Sequence, residues 1–178
     1  MQCSISVSTL IIYTCEWHKS KCDGKANTNT IIKNNLNYVF GGYASEAWHI
    51  KGGWVQDENA FIFSLRRNGI STNEKYKVAK PQKAYYGTVT WLFAFGGYDI
   101  DILANSNTET GSYTDFGNSY QLPEGYTYGS ESAKNYLAGK DYSWLTTEIE
   151  VFQLEVSYFN SLILTSSEDQ SLYEINQF

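Results

Sequence analysis

The stretches "NYVFGGYASEAWH" (residues 37–49) and "WLFAFGGYDIDIL" (residues 91–103) carry the same four residues, Phe40-Gly41-Gly42-Tyr43 and Phe95-Gly96-Gly97-Tyr98, each behind a run of apolar and aromatic side chains. The residues that follow, "ASEAW" and "DIDIL", share nothing, so the match does not extend as an internal repeat must. A phosphate loop needs Gly-x-x-x-x-Gly-Lys-Ser/Thr or Gly-x-Gly-x-x-Gly between a strand and a helix. Neither spacing is present, and the second copy runs directly into a strand pattern. What remains is the use of glycine in a β context: a kink, a bulge, or a place where another backbone or ring passes too close for a Cβ. Paired glycines beside aromatics predict a tightly bent, ring-packed sandwich.

Working outward, most segments read as strands: residues 5–13, "NTIIK", "NYVFG", "NAFIFSLR", "TVTWLFAF", "DIDILA" and "TTEIEVFQLEV". β-branched and aromatic residues fill them, and Gly, Asn or Asp clusters separate them. In "NAFIFSLR", Phe61, Phe63 and Leu65 share one face while Ala60 and Ile62 occupy the other, which predicts a strand covered on both sides. In "TEIEVFQLEV" the apolar set changes phase after Val151, which predicts a β-bulge there. "SESAKNYLAG" reads as a helix with Ser130 or Ser132 as N-cap and Gly139 at its end.

Composition bounds the classes of function. A chain of 178 residues with 42% hydrophobic and 16% aromatic residues and two prolines fits one folded domain. A formal charge of -6 with scattered Lys and Arg argues against a nucleic-acid partner, because phosphate binding gathers basic residues on one face. No apolar run approaches the roughly 18 residues that span a bilayer. The stretch "CSISVSTLIIYTC" lacks a basic n-region and alternates with the period of a strand. Three cysteines and no Asn-x-Ser/Thr sequon disfavour a disulfide-stapled secreted domain, so a cytoplasmic location is expected.

Seven segments in order, "KCDGKANTNTIIK", "YVFGGYASEAW", "NAFIFSL", "FAFGGYDIDI", "DFGNSY", "YLAG" and "EIEVF", give the chain a pattern that resembles a TLDc domain, the module of oxidation-resistance proteins. The resemblance implies an α+β, mainly β fold in which two antiparallel sheets form a central sandwich flanked by short helices. It marks Phe40, Gly41, Gly42, Phe95, Gly96, Gly97, Phe116 and Gly117 as structural motif residues. The second tetrapeptide departs from the family's Phe-Gly-Gly-Gly signature, with Tyr98 in place of the third glycine. The connection "YTCEWHKSKC" is abbreviated, so the expectation is a TLDc-like domain over residues 1–156 and a C-terminal extension over 157–178. The resemblance further implies a protein partner, with the V-type proton ATPase as the family's known case, and a setting of oxidative-stress protection. On this reading Ser45, Glu46 and Glu150 are the expected contacts, and no cofactor or metal is expected.

The residues also offer chemistry to weigh against that reading. Cys15, His18 and Cys22 have ligand-like spacing, and with Cys3 they make a set of four for zinc. The commoner reading is three small cysteines beside strands. Cys22, between Lys21 and Lys25, would act as a redox thiol if exposed and of lowered pKa. Ser45 and His49, oriented by Asp57, would form a hydrolase triad, although Ser45 is read more simply as a cap. Asp99 with Asp101, and Glu148 with Glu150, alternate along strands and are expected on solvated faces. Trp48, Trp54, Trp91 and Trp144 are expected in the core first and as an interface or ligand platform second.

Overall fold

The computed structural model describes residues 21–49, 51–88 and 90–154. Among the described residues, nine strands form two antiparallel sheets. The first sheet holds β1 (Thr28–Asn34), β2 (Val39–Ala44), β4 (Phe61–Arg67), β5 (Ile70–Lys77) and β9 (Thr146–Gln153), in the order β5-β4-β2-β1-β9. The second holds β3 (Gly53–Val55), β6 (Tyr85–Gly87), β7 (Trp91–Phe95) and β8 (Ile100–Leu103), in the order β3-β6-β7-β8. A 3₁₀ turn (Pro81–Lys83) and a one-turn helix α1 (Glu131–Lys134) complete the described elements, giving the mainly β sandwich with short helices that the sequence implied.

Alternation along each strand sends one set of side chains inward. Ile32, Phe40, Ile62 and Ile149 of the first sheet are fully buried, as are Tyr85, Phe95, Ile100 and Ile102 of the second. Trp48, 2% exposed, joins them, its indole 4.5 Å from the Tyr85 ring and 5.3 Å from the Phe95 ring. Each such side chain contributes about 1.5–3 kcal/mol by leaving water.

The two tetrapeptides meet across this core. Gly42 faces inward from β2, and a Cβ there would lie 2.6 Å from the ring of Phe95, so only glycine lets the sheets approach this closely. The first copy is therefore strand interior. The second is the β7–β8 turn, where Gly96 (φ +65°) and Tyr98 (φ +82°) take left-handed backbone.

Several expectations are corrected. β4 is fully covered on its Ile62 side and only partly on the other, where Phe63 is buried but Phe61 and Leu65 are half-buried, and all three line an open apolar groove of about 570 Å³ with Ile31, Phe152 and Leu154. β9 has no bulge at Val151. Its register runs unbroken from Gln153 to Glu148, Ile149 and Val151 turn inward, and Phe152 joins the groove; the irregularity lies opposite Lys33/Asn34. The apparent change of phase is a strand apolar on both faces in its second half. Ser130 caps α1, accepting a hydrogen bond from Ala133 N, but the helix ends at Asn135, well before Gly139. Trp54 is 42% exposed, so it is not a core residue. The strand expected over 5–13 lies outside the described residues.

Candidate functional site

The loop after β2 is built around Asp57. Its carboxylate accepts hydrogen bonds from Ser45 N (2.7 Å), Ser45 Oγ (2.6 Å), Glu46 N (3.3 Å) and Asn59 N (2.9 Å). Asp57 is buried, and these donors meet the solvation its charge has lost. The result is a fixed loop with Glu46 exposed at its end. The same bonds settle how Ser45 is used: its hydroxyl donates to Asp57, and no hydrogen bond joins it to His49 among the described residues. His49 Nδ1 is buried and makes no hydrogen bond. The serine–base relay that nucleophilic catalysis requires is not assembled in this geometry.

Glu150 lies elsewhere. It projects from the outward face of β9, and Ile31, its register partner, is also the partner of Gly41. Ser45 and Glu46 lie beyond the end of β2, so the three expected contacts occupy two places, with Ser45 and Glu46 together and Glu150 apart. Glu148 shares its face and pairs with Lys33 at 3.7 Å, while both side chains remain largely solvated.

Asp99 and Asp101 are not on a solvated face. The segment after residue 112 runs along the free edge of β8, pairing with it through Asp101 N to Tyr113 O and Tyr113 N to Asp101 O, both 2.9 Å. Asp99 is fully buried and accepts from Gly117 N (2.8 Å), Ser119 N (2.8 Å) and Tyr120 N (3.4 Å), while Ser119 Oγ accepts from Gly97 N (2.9 Å). This knot ties the turn of the second tetrapeptide to the "DFGNSY" segment. Phe116 plugs it, its ring 4.9 Å from Tyr76 and 5.7 Å from Tyr136. Burial pushes the Asp99 carboxyl up to about 7, against the N–H donors that favour its charged form.

Cys22 is 3% exposed, and burial pushes its thiol up to about 12, so it holds almost no thiolate at neutral pH. Cys3, Cys15 and His18 lie outside the described residues, and no group of three or more His, Cys, Asp or Glu side chains suited to a metal occurs among the described ones. No helix among the described residues is long and apolar enough to cross a membrane.

The family profile of the TLDc domain matches residues 18–155. The chain belongs to the TLDc domain family. No curated protein matches it. TLDc proteins are commonly associated with oxidative-stress roles. Within this TLDc domain the marked motif residues do structural work: Gly42 admits Phe95, Gly96 makes the turn, and Gly117 donates to Asp99. Sequence reasoning missed the pocket beside them. Trp54, Tyr86, Trp91 and Tyr98 gather with Lys83 and Asp101 around a cavity of about 480 Å³ on the outward side of the four-stranded sheet. The signal available was the tryptophans' second reading as a ligand platform; the missing knowledge was that β3 and β6, too short to read as strands, bring Trp54 beside Tyr86.

Proposed function

We propose that this chain is a non-enzymatic TLDc interaction module that binds the cytosolic part of the V-type proton ATPase and regulates it in oxidative-stress protection. The observation that carries the reading is Glu46, exposed on a loop whose backbone is already fixed by Asp57. A charge presented on preorganised backbone contributes to recognition without a further ordering cost. Ser45 holds the loop, Glu46 supplies the charge, and Glu150 supplies a second contact on the outward face of β9. The net charge of -6 favours a partner surface rich in Lys and Arg, and it makes association faster at low salt. The burial of Cys22 and the engagement of Ser45 by Asp57 weigh against thiol and hydrolase chemistry.

The test is a pull-down of purified V-type ATPase cytosolic sector with the full chain and with Glu46→Lys. Retention by the parent and at least tenfold weaker retention by the variant, with unchanged thermal melting, supports the module. Equal retention removes Glu46 from the interface, and no retention by a folded parent refutes the partner.

A further inference from the structure

We propose that the cavity on the outward side of the four-stranded sheet binds a small organic ammonium ion, with Asp101 as counter-ion and Trp54, Tyr86, Trp91 and Tyr98 as its aromatic wall. Four observations converge. Asp101 is 2% exposed, yet its Oδ1 makes no hydrogen bond, and no ion pair reaches it among the described residues. A buried carboxyl oxygen without a partner is costly, and Asp99, two residues away, shows how this hairpin satisfies a carboxylate that serves structure alone. Second, Tyr98 occupies a φ of +82°, where a bulky residue is strained and glycine is not. Its ring lies 5.5 Å from that of Tyr113, tilted by 31°, and lines the cavity. Strain kept at a side chain that builds a pocket is the pattern of a functional position.

Third, the wall already draws a cation: Lys83 Nζ sits 5.3 Å from the centre of the Trp54 ring. Aromatic faces attract ammonium groups through the ring quadrupole, and a cage of such rings with a carboxylate is the known way to hold a quaternary ammonium. Fourth, a volume of about 480 Å³ suits a small ligand. The inference stands apart from the V-type ATPase reading and does not share its test.

The site makes binding depend on pH. Burial first, and then the negative charge of Asp99, push the Asp101 carboxyl up to about 8. Around it are Asp99 on the same hairpin, Tyr113 on the segment paired with the edge of β8, and Tyr86, Tyr98 and Lys83 around the cavity. A permanent cation pairs with the ionised carboxylate, so affinity rises about tenfold per pH unit up to about 8 and then levels. Asp99 titrates near 7, within the same window, and Asp101→Asn separates the two.

The experiment is titration calorimetry of the full chain with choline and with its neutral isostere 3,3-dimethylbutan-1-ol between pH 6 and 9. The proposal expects choline to bind, the isostere to bind at least tenfold more weakly, and choline affinity to climb with pH. In Asp101→Asn the affinity falls at least tenfold and the pH dependence vanishes. In Tyr98→Gly, which relieves strain, melting temperature rises while choline affinity falls. Equal binding of the isostere, a flat pH profile, or no choline binding at millimolar concentration overturns the proposal, and none of these three readings needs a variant to fold.

Discussion

The two outward faces of the sandwich obey the same alternation and end with different capacities. On the five-stranded sheet, Ile31, Phe61, Phe63, Leu65, Phe152 and Leu154 make an open groove that is almost wholly apolar. On the four-stranded sheet, the segment around Tyr113 pairs with the free edge of β8, and a smaller cavity combines aromatic rings with a buried carboxyl group whose Oδ1 has no partner. An apolar surface recognises shape and little else. A buried carboxyl group without a partner adds charge to shape, because once ionised it calls for a cation.

The strongest way to strain the comparison is to remove what both faces share. Phe95→Ala deletes the ring that fills the space left by Gly42, and it should cost about 3–5 kcal/mol, read as a lower midpoint in urea. Both faces should then lose amide protection together; loss on one sheet alone would show that the sheets do not share a core. Asp99→Ala should cost about 2–4 kcal/mol, because three backbone N–H groups lose their acceptor. Its loss of protection should be confined to residues 96–99 and 115–120, leaving β1, β2 and β9 intact.

Asp101→Asn has the opposite sign. The folded protein holds the Asp101 proton up to about 8 while the unfolded chain releases it near 3.8, so the folded state is favoured in acid and loses stability as pH rises between those values. The asparagine variant should therefore melt like the parent at pH 4 and be more stable at pH 8 by about 1–3 kcal/mol. A variant less stable at pH 8 would mean that Asp101 has a partner in the folded chain. The smallest effect belongs to the open groove, where Phe152→Ser should change stability by less than about 1 kcal/mol, since its side chain is only half-buried.

Much of this was legible in the sequence, for reasons that can be named. The paired glycines were recognisable as a kink, a bulge or a close approach in a β context, and only the packing of Phe95 against Gly42 selects the last of these. The cap was recognisable as Ser130 or Ser132 because capping is local, and the hydrogen bond from Ala133 N selects Ser130. β5 was missed because Ile70–Lys77 is an edge strand with mostly exposed, polar side chains and no apolar alternation to read. The burial of Asp99 and Asp101 was missed because the segment that covers them lies some ten to twenty residues further along the chain. Alternation along "DIDIL" places two carboxylates on one face, but it cannot say what overlies that face.

The most direct test of the interaction-module account is hydrogen exchange on the full chain, alone and with excess purified V-type ATPase cytosolic sector. The account predicts slowed exchange at residues 44–47 and along β9 around Glu150, with the β7–β8 hairpin unchanged. Exchange that is the same everywhere in the presence of the sector would contradict it.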